Sequence, residues 1–301
     1  MLRIAVLASP DSWYLHDLQR AAAGKFELIP AAFSNLQAEL RGNQATFTSG
    51  EVALHDCDAV LVRTMPPGSL EQVVVRMDML NCLEAAGVVV LNPPRAIEAA
   101  VDKFLTSAWL AAAGLKTPRT ICCQTVDDAM AAFASLGGDV VVKPLFGAEG
   151  RGITRLNDEA LALRAFKMLT QLGAVLYLQE FIEHEGYDLR LFVLGERVLG
   201  MRRRNPLDWR TNVSRGATTE AFTPDDNLCE QALRAAQAVG APIAGVDLLP
   251  ARDGTLYAIE VNAVPGWKAL ARTLERDIAS LVLDYVQQRV QRGQGSSAAV
   301  L

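Results

Sequence analysis

Two apolar runs near the C-terminal end constrain this chain most. Ala244 to Leu249 carries Asp247 within it, Leu256 to Val261 carries Glu260, and Asp253-Gly254 lies between the runs. An Asp-Gly pair flanked by apolar runs is a strong hairpin signal. Side chains alternate along a strand, so Glu260 and Asn262 share a face. Pairing of the two strands lets Asp247 join them. The three residues then present oxygen ligands, two of them anionic, on a rigid platform. Such a set suits a hard cation: Mg²⁺ takes one or two carboxylates and leaves its other positions to water and substrate phosphate. The competing reading is a hairpin with three solvated polar residues. Against it, acids inside apolar runs are costly unless paired or metal-bound.

The chain has 301 residues, room for about two domains of ordinary size. Half the residues are hydrophobic, enough for a substantial core. A net charge of −5 argues against a broad nucleic-acid or membrane surface. The first apolar run, Leu2 to Leu7, is too short for a signal segment, and no run approaches the roughly 20 residues of a membrane span. The cysteines, Cys57, Cys82, Cys122, Cys123 and Cys229, are odd in number and fit neither a zinc nor a disulfide pattern, so they read as reduced thiols in a cytoplasmic protein. His16, His55 and His184 are scattered and suggest no catalytic triad.

The first 90 residues alternate strand and helix signals. Strands are expected at Leu2–Leu7, Phe26–Ile29, Asp58–Arg63 and Gly87–Leu91, with helices over Asp11–Gly24 and Leu70–Ala86. That alternation argues a parallel α/β layer. The segment after the first strand, Ala8-Ser-Pro-Asp-Ser12, lacks the glycine fingerprint of a dinucleotide fold. Asn92-Pro-Pro94 marks a boundary, and Ala96–Gly114 reads as one helix. The segment from Gly293 reads as a disordered tail.

Three further constellations carry chemistry. An apolar strand ends at Lys143 and runs into Gly147, Glu149, Gly150 and Gly152. Glycines permit positive φ and close backbone approach, so N–H groups can face an anion while the lysine adds a charge for phosphate. A Gly-rich hairpin tip is the alternative. Gln179-Glu180-Phe181-Ile182 ends a strand and Asp188 opens the next, offering a backbone edge for adenine and an acceptor for ribose, or two ordinary strands with edge charges. Arg202, Arg203, Arg204, Arg210 and Arg215, with Asn212 among them, put five arginines into fourteen residues of an acidic protein. That run suits bidentate recognition of carboxylate or phosphate. A solvated loop is the bland account, and RNA binding lacks interleaved aromatics and a wider basic field.

The order Asp102-Lys103, Lys143 with Gly147–Gly152, Gln179-Glu180, Asp188-Leu-Arg190, Arg210-Thr-Asn212, Asp247 and Glu260-Val-Asn262 resembles the ATP-grasp superfamily, most nearly its RimK-like branch of glutamate ligases. The resemblance covers residues 90–285. It implies an α/β chain of α+β subdomains: an N-terminal Rossmann-like domain over 1–92, a central ATP-grasp subdomain over 93–173 and a C-terminal one over 174–290, with a tail over 291–301. By the resemblance, Lys103 and Lys143 contact the phosphates of ATP and Gly147–Gly152, with Glu149, closes over them. Gln179, Glu180, Phe181 and Ile182 hold adenine, and Asp188 holds the ribose. Arg210, Asn212 and Arg215 serve catalysis. Asp247, Glu260 and Asn262 hold two Mg²⁺ or Mn²⁺ ions. Apart from the resemblance, the Arg202–Arg215 run is the dense cationic surface able to offset an anionic amino acid beside ATP, so Arg203 or Arg215 is expected to bind an acidic amino acid.

The implied reaction is ATP-dependent ligation: a carboxylate takes the γ-phosphate, and an amine displaces phosphate to form an amide. Relatives of this branch modify pterin or deazaflavin coenzymes, protein C-termini or an amino-group carrier protein. A small-molecule or peptide acceptor and glutamate are thus the expected partners, with no nucleic acid or membrane, and a homo-oligomer is compatible. The alternatives are an ATP-grasp kinase of a small acceptor and a nucleotide-binding module without turnover. Trp267-Lys268 after Pro265-Gly266 departs from the small or aliphatic residues of the branch pattern, at a position that bears on the acceptor.

Overall fold

A computed structural model describes residues 1–147 and 150–297. The first 91 residues build β1 (Leu2–Leu7), α1 (Trp13–Ala22), β2 (Phe26–Ala31), β3 (Leu36–Arg41), β4 (Gln44–Ser49), β5 (Val52–Ala53), β6 (Ala59–Val62), α2 (Leu70–Ala85) and β7 (Val89–Leu91). β2-β1-β6-β7 form a parallel sheet. Strand and helix do not alternate throughout. Between β2 and β6 the chain makes an antiparallel meander, β3-β4-β5, turned tightly at Gly42, whose φ is +58°. Ser69 and Gln72 make a reciprocal capping box at the start of α2. Arg76, Met77, Leu80 and Leu83 then fall on its buried face at helical spacing.

The helix expected over Ala96–Gly114 is two helices, α3 (Pro94–Val101) and α4 (Lys103–Ala112). Asp102 adopts extended backbone, and its carboxylate accepts from the N–H groups of Phe104 and Leu105. It therefore ends one helix and caps the next, which makes Lys103 the first residue of α4.

The central layer comprises β8 (Thr120–Cys123), α5 (Val126–Ser135), β9 (Val140–Lys143), β10 (Thr154–Leu156), α6 (Glu159–Gln171) and β11 (Leu176–Glu180), with antiparallel order β10-β9-β11-β8. β11 pairs with both β8 and β9, so this sheet ends at Glu180 and the boundary expected at 173/174 falls inside it. Gly173 punctuates the chain, but only long-range pairing reveals which sheet the next strand joins. Phe133, Val140, Val142, Phe166, Leu176 and Leu178 form a core belonging to this layer alone.

The remaining chain forms β12 (Tyr187–Leu194), β13 (Arg197–Arg204), β14 (Thr218–Phe222), α7 (Asp226–Val239), β15 (Ile243–Pro250), β16 (Leu256–Asn262), α8 (Lys268–Leu274) and α9 (Ile278–Ser297). The antiparallel order is β14-β13-β12-β15-β16. The segment from Gly293, expected as a tail, continues α9 to Ser297; residues 298–301 lie outside the described residues.

The N-terminal and C-terminal sheets share their cores. Val60, Leu80 and Val90 pack in one cluster with Leu189, Val246 and Val261. Ile4, Leu18 and Leu61 pack in another with Phe192, Trp267 and Leu283. Asn92, buried just after β7, joins them by hydrogen bonds. Its amide donates to the carbonyls of Ile243 and Ala263, and its oxygen accepts from the N–H of Ile243 at 3.0 Å. Among the described residues no helix is long and apolar enough to cross a membrane.

Candidate active site

The hairpin expected from the sequence is β15–β16. Asp247 sits opposite Glu260 and Gly245 opposite Asn262, with a register shift just after Asp247. Such irregularities bend a strand and re-aim its side chains. Asp247, Glu260, Lys103, Lys143, Gln179, Asp188, Arg203, Arg210 and Asn212 line one cleft between the central and C-terminal sheets, open to solvent. Val141, Ile153, Leu249 and Ile259 supply apolar walls. A few convergent polar groups among apolar walls is the usual composition of a small-molecule site.

Lys143 ends β9 and points its ammonium at the side-chain oxygen of Gln179, whose amide nitrogen donates to Thr120 Oγ1 at 2.9 Å. Gln179 is buried. It therefore orients Lys143 from within the sheet; the backbone just beyond it is paired as well, the Glu180 N–H donating to the Arg119 carbonyl and the Phe181 N–H to the Asp139 carbonyl. Burial draws the Lys143 ammonium down to about 8; Lys103 adds to this, and Glu260 and Asp247 oppose it. Lys103 donates to the Gly147 carbonyl at 2.7 Å, linking α4 to the glycine loop. Glu180, also on the cleft wall, accepts from the N–H of Arg119 at 2.8 Å. Phe181 stacks under the Arg155 guanidinium and meets the Trp209 ring edge-on.

The arginine run divides because strand side chains alternate. Arg202 and Arg204 lie over the Tyr187 ring, and Arg202 also pairs with Glu220. Arg203 points the other way and is only 4% exposed. It forks onto both oxygens of Asp188 and reaches Asp247 Oδ2 at 2.8 Å. Arg190, two residues after Asp188, donates to Asp247 Oδ2 at 3.2 Å. Two aspartates and two arginines thus form a neutral buried cluster. Burial alone would lower Arg203, but Asp188 and Asp247 together hold it above the ordinary arginine range, so it stays charged. Gly245 makes the approach possible: a Cβ there would lie 2.3 Å from Arg190 Nη1.

Arg210 and Arg215 attach the glycine loop to this sheet. Arg210 forks onto Asp208 and donates to the Ile153 carbonyl at 3.1 Å. Arg215 donates to the Gly150 carbonyl at 3.2 Å. Gly150 has φ +70°, and a Cβ there would sit 2.5 Å from Asn212 Oδ1. Gly147 and Gly152 also take positive φ. Glu149 lies outside the described residues. The sequence singled out Lys143, Arg203 and Asp247 but not Trp209, Thr211 or His184, which also line the cleft. Their only sequence signal is proximity to Arg210 and to the Gln179-Glu180 strand end.

A family model described as the RimK-like ATP-grasp domain matches residues 100–286. The chain belongs to the RimK-like ATP-grasp family. This ATP-grasp ligase is 33% identical to the tetrahydromethanopterin:alpha-L-glutamate ligase of Methanosarcina acetivorans, over 93% of its own length and 97% of the relative's. It is 36% identical to a probable alpha-L-glutamate ligase of Xanthomonas euvesicatoria pv. vesicatoria, over 72% and 75% of the two chains. Among solved structures it resembles the ATP-grasp ligase PsnB complexed with minimal precursor, with a TM-score of 0.76 and 23% identity over 95% and 99% of the chains. It resembles likewise the RimK domain protein ATP-grasp from Sphaerobacter thermophilus, with a TM-score of 0.71 and 24% identity over 95% and 99%. The fold is the α/β ATP-grasp fold, and the protein is an ATP-dependent amide-forming ligase that uses ATP and Mg²⁺.

The ligase's donor set fits a hard cation. Among the described residues no three His, Cys, Asp or Glu side chains cluster as a metal site on their own. The set is instead two carboxylates and an amide, suited to an ion that arrives with phosphate. Asp247 Oδ1 is buried and has no hydrogen-bond partner. Arg190 Nε lies 2.7 Å from it, but off the line a hydrogen bond needs. Glu260 lines the same cleft and makes no ion pair among the described residues. Asn262 Oδ1 accepts from the N–H of Val264 at 2.8 Å, which fixes the amide's orientation.

Proposed function

We propose that this ligase adds L-glutamate to a carboxylate-bearing, coenzyme-like acceptor through an acyl-phosphate. The observation that carries the reading is one cleft holding Lys143, Arg203, Asp247 and Glu260 in a chain about one-third identical to a tetrahydromethanopterin:alpha-L-glutamate ligase. Adenine lies between Val141, Ile153 and Leu249, beside the segment Glu180–Ile182 that follows β11. Lys103 and Lys143 hold the phosphates, and the loop from Gly147 to Gly152 covers them. Asp188 takes the ribose side of the cleft and fixes Arg203. Asp247, Glu260 and Asn262 would hold two divalent ions, which when bound spread the charge of the transferring phosphoryl group.

The acceptor carboxylate attacks the γ-phosphorus, ADP leaves, and the glutamate amine then displaces phosphate from the acyl carbon. No protein nucleophile is needed. The protein contributes position and fixed positive charge, which is the main form of catalysis in phosphoryl transfer. Arg210, Asn212 and Arg215 hold the loop in register with the reacting phosphoryl group.

The test is incubation with ATP, Mg²⁺, isotope-labelled glutamate and a panel of pterin and deazaflavin carboxylates. Acceptor heavier by one or more glutamyl residues, with one ADP and one phosphate per bond, is expected. A stable phosphorylated acceptor with no amide would make the chain a kinase instead.

A further inference from the structure

Arg63 ends in an environment that the ATP cleft does not explain. It follows β6, is 6% exposed, and no carboxylate pairs with it among the described residues. Its Nη2 donates to the Pro265 carbonyl at 2.6 Å, while Nε is buried without a hydrogen-bond partner. The guanidinium lies 4.2 Å from the centre of the Trp267 ring and 5.0 Å from that of Tyr14. Burial draws it down to about 10. Aromatic faces offset only part of the cost of an unpaired buried charge.

A second arginine converges on the same loop. Arg76 rises from α2, is buried, and donates to the Pro66 carbonyl at 3.0 Å. It too lacks a carboxylate among the described residues. Gly68 lies directly above it: a Cβ there would be 2.9 Å from Arg76 Nη1. Among the described residues the one other buried arginine, Arg203, is matched to acids. These two are not.

Topology selects the place. In the order β2-β1-β6-β7 the connections leave β1 and β6 toward opposite edges, so the switch point lies between those two strands. Ligands of open parallel sheets bind outside the carboxyl ends of the strands at such a point. Tyr14 follows β1, and Arg63 follows β6. The segment Pro265–Trp267, three residues past Asn262, closes the same spot, with Gly266 so tight on Tyr14 that a Cβ would lie 2.3 Å from its hydroxyl. Outside this, Lys268 stands 5.3 Å over the ring of half-exposed Trp13.

We propose that the carboxyl edge of the N-terminal sheet is an anion subsite, in which Arg63, backed by Tyr14 and Trp267 and supported by Arg76, receives a carboxylate or phosphate group of the acceptor. Assignment to the acceptor rests on the ligase reading. The anion site itself does not. Its position ties the end of β16 to the N-terminal sheet, so an acceptor anchored there extends from the crevice toward the metal-ligand strand. Trp13 with Lys268 offers a cationic aromatic rim for the rest of a planar, anionic molecule.

The experiment fills the ATP cleft with the non-hydrolysable analogue AMPPNP and Mg²⁺, then titrates succinate and, separately, inorganic phosphate at constant ionic strength, read by calorimetry. Saturable binding of at least one anion is expected, weakened at least tenfold in Arg63→Met and unchanged in Arg41→Met, an exposed arginine at the end of β3. Binding of succinate alone assigns a carboxylate, and of phosphate alone a phosphate. No saturable binding of either, or equal binding in Arg63→Met, overturns the proposal. If Arg63→Met does not fold, Arg63→Lys serves, since an ammonium cannot reproduce the planar fork. In turnover, Arg63→Lys should raise the acceptor KM at least tenfold while the ATP KM stays within threefold. A strut that merely braces Pro265 would instead lower the melting temperature and leave that ratio untouched. Anion binding without amide formation would remove the ligase reading and leave the subsite standing.

Discussion

Lys143 offers the sharpest test of the nucleotide site, because its charge is held against desolvation. The descent from 10.5 to about 8, at about 1.36 kcal/mol per pH unit, disfavours the ammonium by about 3 kcal/mol. Two consequences have definite signs. Without nucleotide, the penalty is present in full below pH 8 and is relieved as pH rises from 8 to 10.5, so this group makes the fold more stable across that window. With nucleotide, only the ammonium binds phosphate. About nine molecules in ten carry it at pH 7 and about one in ten at pH 9, so ATP affinity falls about tenfold between them. ATP's last phosphate proton has a pKa near 6, so the ligand does not titrate in this window. Calorimetry at pH 8 in buffers of different ionisation enthalpy should show uptake of about half a proton per ATP bound. Lys143→Met should weaken ATP by about 1–3 kcal/mol at pH 7 and abolish the dependence on pH. A flat wild-type affinity from pH 7 to 9, or the same slope in Lys143→Met, refutes the reasoning.

Other expectations follow from neighbouring residues. Glu260→Gln should melt like wild type yet lose turnover, because it removes a negative charge from the cation site; near-normal ADP release in saturating Mg²⁺ contradicts this. Arg203→Ala leaves Asp188 and Asp247 buried without their shared cation and should cost about 3–5 kcal/mol in denaturant unfolding, whereas a loss under 1 kcal/mol would show that the cluster is solvated. Gly245→Ala puts a methyl where Arg190 crosses the strand and should cost about 1–3 kcal/mol by overpacking, visible in the melting temperature. Among amino acids, glutamate should be used before aspartate and both before alanine. Arg215→Lys should raise the KM for the acid more than for ATP; alanine used faster than glutamate would remove the acidic-substrate assignment.

The parts of this site legible in the sequence are those set by local periodicity. Asp247, Glu260 and Asn262 lie on a hairpin whose turn, alternation and apolar flanks are all contained within twenty residues. Lys143 ends a strand visible in Val140–Val142. What needs a partner from elsewhere was not legible. Asp188 and Arg203 meet because β12 and β13 are in that register, and the same register turns Arg202 and Arg204 away. Asp102 lies within an apolar periodic stretch, so its interruption of the helix shows only in its cap. The β3–β5 meander is short and largely exposed, with little apolar alternation to announce it. Arg63 gave no signal, since its aromatic neighbours are roughly fifty residues before it and two hundred after it.

The Asn92 linkage has a mechanical consequence. Because its amide bonds both ends of the β15–β16 hairpin to the end of β7, and two cores run through the N-terminal and C-terminal sheets together, those sheets form a single anvil. The central layer has a core of its own and is the jaw. A rigid displacement of that layer would carry Lys143 away from Asp247 and Glu260 and break the Arg210–Ile153 and Arg215–Gly150 bonds, while the distance from Arg63 to the hairpin would stay fixed. Such a displacement would let nucleotide enter and leave without disturbing what is seated on the anvil.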